Sequence, residues 1–363
     1  MGFRDYSTGD TVPWFTAATL DGNQNFVFDT TAGRYVLLLF VGSASHEASA
    51  SALAQLPGWR RLFDDHRACF FGVTSDPSDA AAGRIARLLP GIRWFLDYDR
   101  TIARLYGAAD EGNGFSPHWL LLDPRLRVLG KARIHEGEKL LRRLEALLEQ
   151  PGIDEPAPVL VVPDIFDRDF CSRLIDYHEH QGGAPSGFML DVDGVTTPVL
   201  NAAVKQRSDV LLTEGNPLRD EARLRLARVL MPQIRRAFQF EMTRVERYVV
   251  ACYDSDGGGY FQPHRDNTTI GTAHRRFACS INLNAEDFEG GDLRFPEFGQ
   301  RSYRPPTGGA VIFSCALLHE AMPVTRGKRY AFLPFLYDEQ AALQREQAAR
   351  GMGDDSALAR YRA

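Results

Sequence analysis

The chain reads as an α+β protein of two domains, an α/β layer followed by a strand-rich sandwich or jelly roll with flanking helices. Three observations predict this. First, 363 residues exceed what one average domain uses, and a content of 44% hydrophobic and 25% charged residues is ordinary for a soluble globular chain. Second, the rhythm changes along the chain. Up to about Gln150, short apolar runs alternate with helical stretches, whereas beyond Val245 short strands follow one another between Gly, Pro and Asn turns. Third, Gln150-Pro-Gly-Ile-Asp-Glu-Pro-Ala-Pro158 has the proline-rich polar composition of a linker, which sets the domains at 1–150 and 158–338 with 151–157 between them.

Within the first domain, 35–41, 69–74 and 119–123 are short continuous apolar runs and read as buried strands. Residues 48–66 and 77–89 carry helical periodicity, and strands alternating with helices imply a sheet that is at least partly parallel. Residues 136–149 close the layer as an amphipathic helix, with Leu140, Leu141, Leu144, Leu147 and Leu148 on one stripe. Beyond the linker, 167–180 reads as a helix. Asn216-Pro217 opens another with a capping side chain and a proline at its first position, and Pro232 should kink or split it. Strands are expected at 248–253, 277–283, 292–295, 310–315 and 329–336, a hairpin at 191–200, and a charged helical tail at 339–363.

Composition removes several functions. A net charge of −5 without a basic cluster offers no footprint for nucleic acid. The start, Met1-Gly-Phe-Arg-Asp-Tyr-Ser, lacks a signal-peptide core and no apolar run approaches membrane length, so a cytoplasmic protein without a membrane partner is expected. The five cysteines, Cys69, Cys171, Cys252, Cys279 and Cys315, form no C-x-x-C pair and read as buried thiols.

The chemistry concentrates between His264 and Arg329. His264-Arg265-Asp266, a lone His319 and Gly327-Lys328-Arg329 follow in order, supplying two imidazoles and one carboxylate. Such a facial set on Fe(II) leaves the opposite positions open to a bidentate cosubstrate and dioxygen. His264 and Asp266 are two apart, so an extended backbone turns both to one face.

Between these residues lie Asn282-Leu-Asn284, Glu289-Gly-Gly-Asp-Leu293 and Gly308-Gly-Ala310. With them, 158–338 resembles the prolyl-4-hydroxylase-like branch of the 2-oxoglutarate and Fe(II)-dependent dioxygenases, which form a double-stranded β-helix. The resemblance implies that His264, Asp266 and His319 hold Fe(II) and that 2-oxoglutarate chelates it through its keto oxygen and adjacent carboxylate. Arg329 fits the cation for the distal carboxylate, since its planar fork grips with two bonds. Lys328 and Arg326 are alternatives, although strand alternation turns Lys328 away from the face of Arg329. Tyr253 is either a cosubstrate contact or a core tyrosine, Asn282 matches a position beside the distal carboxylate, and Tyr260 and Gln262 either face substrate or pack. The implied activity consumes O2, releases succinate and CO2, and hydroxylates an unactivated C–H bond of a peptide or protein side chain or an amino-acid-like small molecule. Ascorbate is an expected stimulant.

The first domain resembles a peroxiredoxin of the thioredoxin-like fold through Gly9-Asp-Thr-Val-Pro-Trp-Phe, Gly33-Arg-Tyr-Val-Leu-Leu-Leu-Phe, Gly72-Val-Thr-Ser-Asp76 and Phe115-Ser-Pro117-His-Trp-Leu-Leu-Leu-Asp-Pro124. It departs where that family needs its reactive cysteine, carrying Gly42-Ser-Ala-Ser-His46-Glu47-Ala-Ser instead. Without a thiolate no peroxidase activity is expected. Cys69 reads as buried, and His46 and Glu47 either begin a new site or, as polar residues at a helix start usually do, cap the helix. A scaffold, a docking surface and a homodimerisation module all suit such a domain. A binding or sensing protein with a vestigial or regulatory iron site is the competing reading of the whole, and the complete ligand set with its arginine favours the enzyme.

Overall fold

Tyr35–Gly42 (β1) buries residues 36–41 in succession, which requires a central strand covered on both faces. With Ala68–Thr74 (β2), Ile92–Leu96 (β3), His118–Leu122 (β4) and Val128–Arg133 (β5) it forms a sheet of order β3-β2-β1-β4-β5. The β1, β2 and β3 strands are parallel, β4 runs antiparallel to β1, and β5 runs antiparallel to β4. Helix Gly137–Glu149 lays Leu140, Leu141 and Leu144 into a core with Leu37, Leu39, Phe70 and Trp119. A side chain at Gly137 would collide with the Trp119 ring, so glycine sets that close approach. This strand order with its covering helix is the thioredoxin-like fold. The computed structural model describes residues 4–112, 114–192 and 195–351, in two units, Met1–Glu155 with Pro296–Gln300 and Pro156–Phe295 with Arg301–Ala363.

Two helices fall short of expectation. The run 48–66 is helical only over Glu47–Leu53, followed by a tighter 3₁₀ stretch, Leu56–Leu62, because Pro57 and Gly58 interrupt the ladder. Of 77–89 only Ser78–Ala81 is helical, and Gly83 leaves it at φ +65. His46 occupies the N-cap position of Glu47–Leu53 without any side-chain cap bond, which corrects its reading as a capping side chain.

His118 in β4 is buried against Phe40, with ring centroids 5.0 Å apart, and burial pulls its pKa down to about 4 from 6.5. Between those values the unfolded chain holds a proton that the folded chain refuses, so stability is lost as pH falls. The difference amounts to about 3 kcal/mol. All four tryptophans, Trp14, Trp59, Trp94 and Trp119, lie in this unit, so their fluorescence reports its unfolding alone. Buried Asp97, raised to about 6, acts with the opposite sign in both proteins, so the test is the difference: from pH 6.5 to 4 the parent should lose about 3 kcal/mol relative to His118→Gln, and parallel profiles would contradict the assignment.

The second unit contains Leu160–Val162 (β6), Ser208–Leu211 (β7), Val249–Asp254 (β8), Tyr260–His264 (β9), Phe277–Asn282 (β10), Leu293–Arg294 (β11), Ala310–Ser314 (β12), His319–Ala321 (β13), Lys328–Phe332 (β14) and Phe335–Tyr337 (β15). The larger sheet runs β15-β10-β14-β8-β7, with β12 joining β10 to β6. The smaller sheet has β13 between β9 and β11. Alternation along β8 ties the layers together. Val249, Ala251 and Tyr253 meet Phe261, Ala321 and Val324 across the gap between the sheets, whereas Val250 and Cys252 meet Phe170, Leu174, Leu226 and Ile234. Two sheets over one narrow core, with helices outside, make the double-stranded β-helix.

Those outer helices begin as the sequence suggests. Asp167 caps Arg168–Gln181 by accepting from the Phe170 N–H at 2.8 Å, and Asn216 caps Pro217–Arg225 through the Leu218 N–H at 2.9 Å. A π turn, Leu226–Leu230, precedes Met231–Phe238, where Pro232 lacks the donor that a continuous ladder requires. The run 329–336 is two strands, β14 and β15, divided at Leu333 and Pro334. Phe188–Val192 and Val195–Val199 form the expected hairpin, whose Asp193 and Gly194 lie outside the described residues. The tail is helical over Glu339–Gly351, and 352–363 also lie outside them. All five cysteines are buried and unpaired, and burial pushes the Cys69 thiol up to about 11. Among the described residues no helix is long and apolar enough to cross a membrane.

Candidate active site

Antiparallel pairing of β9 with β13 sets His264 directly opposite His319, closing a gap of 55 residues. Asp266 follows β9, held by its N–H to the Cys315 carbonyl at 2.9 Å. Its carboxylate oxygens lie 3.6 Å from His264 Nε2 and 3.3 Å from His319 Nε2, and one donor atom from each residue falls within 4.8 Å of the others. Each imidazole uses Nδ1 against a backbone carbonyl, Gln262 at 2.8 Å and Leu317 at 3.0 Å. A proton held at Nδ1 leaves the Nε2 lone pair convergent on the gap between the three side chains. Burial lowers the pKa of His264 to about 4 and favours the neutral ring that ligation requires. Phe261 stacks on His264 at 3.4 Å between centroids, and Phe313 meets His319 edge-on at 4.5 Å. Two imidazoles and one carboxylate are a donor set that fits Fe(II).

Behind the triad, Arg275 donates from Nη1 to the Asp266 carbonyl at 3.2 Å and grips Glu246 through Nε at 3.0 Å and Nη2 at 2.6 Å. His274 Nε2 meets the same carboxylate at 2.8 Å, and all three side chains are buried. Sequence reasoning did not find this network, because nothing local links Glu246 to residues nearly thirty positions away. Removing one partner strands a buried charge, so Glu246→Ala should lose about 3–5 kcal/mol of unfolding free energy in urea. A loss below about 1 kcal/mol, the usual limit for exposed pairs, would contradict that role.

Arg329 faces the core from β14, directly opposite Tyr253 of β8. It is 2% exposed, and burial lowers its pKa. Nη2 donates to Ser280 Oγ at 2.9 Å and Nε to Asn282 Oδ1 at 3.3 Å. Its Nη1 has no acceptor, and the guanidinium has no carboxylate in ion-pair range among the described residues. A buried cation with an unfilled donor is costly unless a ligand completes it, and the distal carboxylate of 2-oxoglutarate has the required charge and planarity. The alternatives are engaged elsewhere: exposed Lys328 lies 3.5 Å from Asp254, and exposed Arg326 lies 2.6 Å from Glu289. Gly291 leaves room for the arginine, since a Cβ there would sit 3.2 Å from Arg329 Cδ.

Tyr253 is buried beneath two guanidiniums, with Arg329 5.1 Å and Arg207 5.7 Å from its ring centroid, and its hydroxyl accepts from Arg207 Nη1 at 3.3 Å. Asn282 also donates to the Pro305 carbonyl at 2.8 Å, so both ends of its amide engage protein. Its observed contact is with Arg329. The hydroxyl beside Arg329 comes from Ser280, which strand alternation placed on the face of Asn282 but which the sequence reading passed over. Buried Lys205 was also missed; its ammonium stands 4.7 Å over the Phe261 ring and donates to Ser186 Oγ at 2.8 Å. Tyr260 donates to the Ala202 carbonyl at 2.7 Å, and Gln262 is exposed. Ser280→Ala removes one of the two acceptors that aim Arg329. The Michaelis constant for 2-oxoglutarate should rise about fivefold to tenfold with little change in maximal rate. An unchanged constant in a succinate-release assay would show that Ser280 does not position the cation.

Comparison with known proteins finds similarities in both units. The model of the 2OG-Fe(II) oxygenase superfamily matches residues 248–337. A PKHD-type hydroxylase from Pseudomonas fluorescens is 29% identical over 206 residues, covering 53% of this chain and 83% of that protein. A procollagen-lysine,2-oxoglutarate 5-dioxygenase 1 from Rattus norvegicus is 27% identical over 190 residues, covering 51% of this chain but 24% of its own length. In the first unit, a peroxidoxin structure from Mycobacterium tuberculosis aligns at 20% identity, with 39% of this chain and 99% of that one covered and a TM-score of 0.34. The C-terminal region is a 2OG-Fe(II) oxygenase domain similar to PKHD-type hydroxylases, and the chain is a 2-oxoglutarate-dependent dioxygenase.

Proposed function

We propose that the enzyme hydroxylates an unactivated C–H bond of a polypeptide side chain, with His264, Asp266 and His319 holding Fe(II) and Arg329 holding the distal carboxylate of 2-oxoglutarate. The observation that carries this reading is the buried Arg329 Nη1 without an acceptor, on the sheet that faces the His-Asp-His triad. When bound, Fe(II) and 2-oxoglutarate supply dioxygen activation, with succinate and CO2 released and one oxygen atom delivered to the substrate carbon. The chain's own residues do the rest. The Nδ1 bonds to Gln262 and Leu317 orient the imidazoles, Ser280 and Asn282 aim Arg329, and Phe261 and Phe313 keep water from the histidines. Ascorbate should raise the number of turnovers before inactivation.

A polypeptide is favoured over an amino-acid-like small molecule by two observations. The rat relative is named for procollagen lysine. Exposed Val195, Leu200 and Ile270 lie on or beside a hairpin whose Asp191 and Thr196 accept from Ile270 N–H and Gly271 N–H, in the loop that follows Asp266. Such apolar surface suits an extended chain.

The test supplies anaerobically purified protein with Fe(II), 2-oxoglutarate and oxygen, plus the protein or the small-molecule fraction of a cell extract. Succinate is read against a His319→Ala control. Stimulation by the protein fraction supports the proposal, and stimulation by the small-molecule fraction replaces the substrate class. Equal succinate in parent and control would refute turnover at this site.

A further inference from the structure

The first unit holds a cavity of about 380 Å³ where β1 and β2 end, with His46, Ser75, Asp76, Arg100, Phe115 and Pro117 in its lining. That volume falls within the range of small-ligand sites, and the ends of parallel strands are where open α/β sheets place ligands. The iron site lies in the other unit and uses none of these residues.

The charges in the cavity are unequally balanced. Asp76 is fully engaged: Oδ2 accepts from Ser43 Oγ at 2.6 Å and lies 3.4 Å from Arg84 Nη2, while Oδ1 accepts from Ser78 N–H at 2.9 Å and Ser78 Oγ at 2.7 Å. The half-buried Arg100 guanidinium and the exposed His46 imidazole have no hydrogen-bond or ion-pair partner in the protein among the described residues. Ser75 Oγ is buried and likewise unsatisfied. The groups without a protein partner are therefore a half-buried guanidinium, an exposed imidazole and a buried hydroxyl, beside Val41, Pro77, Phe115 and Pro117.

The backbone holds this arrangement. Arg100 adopts φ +61, which non-glycine residues seldom do. Buried Asp97 clamps it there: its carbonyl accepts from Arg100 N–H at 3.0 Å, and its carboxylate accepts from Ile102 N–H and Ala103 N–H at 2.8 Å each. Gly42, at φ +68, lets the Phe115 ring close the wall, since a Cβ there would meet the ring at 3.0 Å. This turn, which leads into helix Thr101–Leu105, fixes Arg100 with its side chain on the cavity wall.

We infer that this cavity binds a monocarboxylate with an apolar body, its carboxylate on Arg100 and its body against Phe115 and the prolines. A free organic acid and the C-terminal residue of a peptide share that chemistry. The test is calorimetric titration of the full chain with 3-phenylpropionate, N-acetyl-glycyl-phenylalanine and the amide of that dipeptide. The two carboxylates should bind once per chain, equally to the parent and to Arg329→Ala, and the amide should not bind. Tighter binding of the dipeptide acid marks a peptide source, and the reverse marks a free acid. Arg100→Asn, whose side chain tolerates the left-handed backbone, should weaken both by at least about tenfold, with Arg100→Lys weakened less. Should Arg100→Asn fail to fold, Arg100→Gly repeats the measurement. Absence of binding by both carboxylates, parent-like affinity in a folded Arg100→Asn or Arg100→Gly, or loss of binding in Arg329→Ala would each overturn the inference.

Discussion

Arg329→Ala protein is expected to need about a hundredfold more 2-oxoglutarate than the parent to reach half its maximal rate of succinate release. The magnitude follows from burial. A guanidinium that is 2% exposed makes a charge-assisted bond in a medium where water competes poorly, so its removal is felt far more than at a surface site. Part of the effect is geometric, since Ser280 and Asn282 hold the planar fork so that Nη1 is free. Arg329→Lys should therefore recover only part of the loss, because an ammonium restores the charge but not the fork. A Michaelis constant within about twofold of the parent's, too small a change for loss of a charge-assisted bond, would place the distal carboxylate elsewhere.

The second large effect is at the triad. His319→Ala should abolish stoichiometric Fe(II) binding and reduce substrate-dependent succinate release by at least about a thousandfold, since loss of the outer partners of a metal ligand alone typically costs 10–100-fold. The fold should survive the change. His319 lies at the start of a short strand, and β13 keeps its pairing at Ala321 with Phe261 and Leu293. Native circular dichroism with no iron bound is the expected result. Retained iron with lost activity would show that His319 acts other than as a ligand.

How much was legible beforehand depended on distance along the chain. His264 and Asp266 could be paired from their spacing, and Arg329 could be preferred over Lys328 from alternation, because both arguments need only the two-residue period of an extended backbone. The structure then sets His319 opposite His264 and turns Lys328 outward to Asp254. Contacts set by register were not legible. Glu246 with Arg275, Arg207 with Tyr253 and Lys205 over Phe261 join residues far apart in the chain that only the pairing of the strands brings together. In the first unit the buried strands β1, β2 and β4 announced themselves as apolar runs. β3 and β5 did not, because Arg93 and the Gly130-Lys131 pair interrupt the pattern at the sheet's two edges. The helix at 48–66 was read too long because its periodicity outlasts the proline and glycine that end it.

The central claim is that one site joins the His-Asp-His triad to Arg329 through 2-oxoglutarate. Anaerobic titration of the metal-free chain with Fe(II), then 2-oxoglutarate, tests it most directly, read by the visible charge-transfer absorption of a keto acid chelated to ferrous iron. One Fe(II) per chain is expected, with the band saturating at one 2-oxoglutarate, absent in His319→Ala and shifted to about a hundredfold higher 2-oxoglutarate in Arg329→Ala. A band of parent intensity and midpoint in either variant would contradict the account.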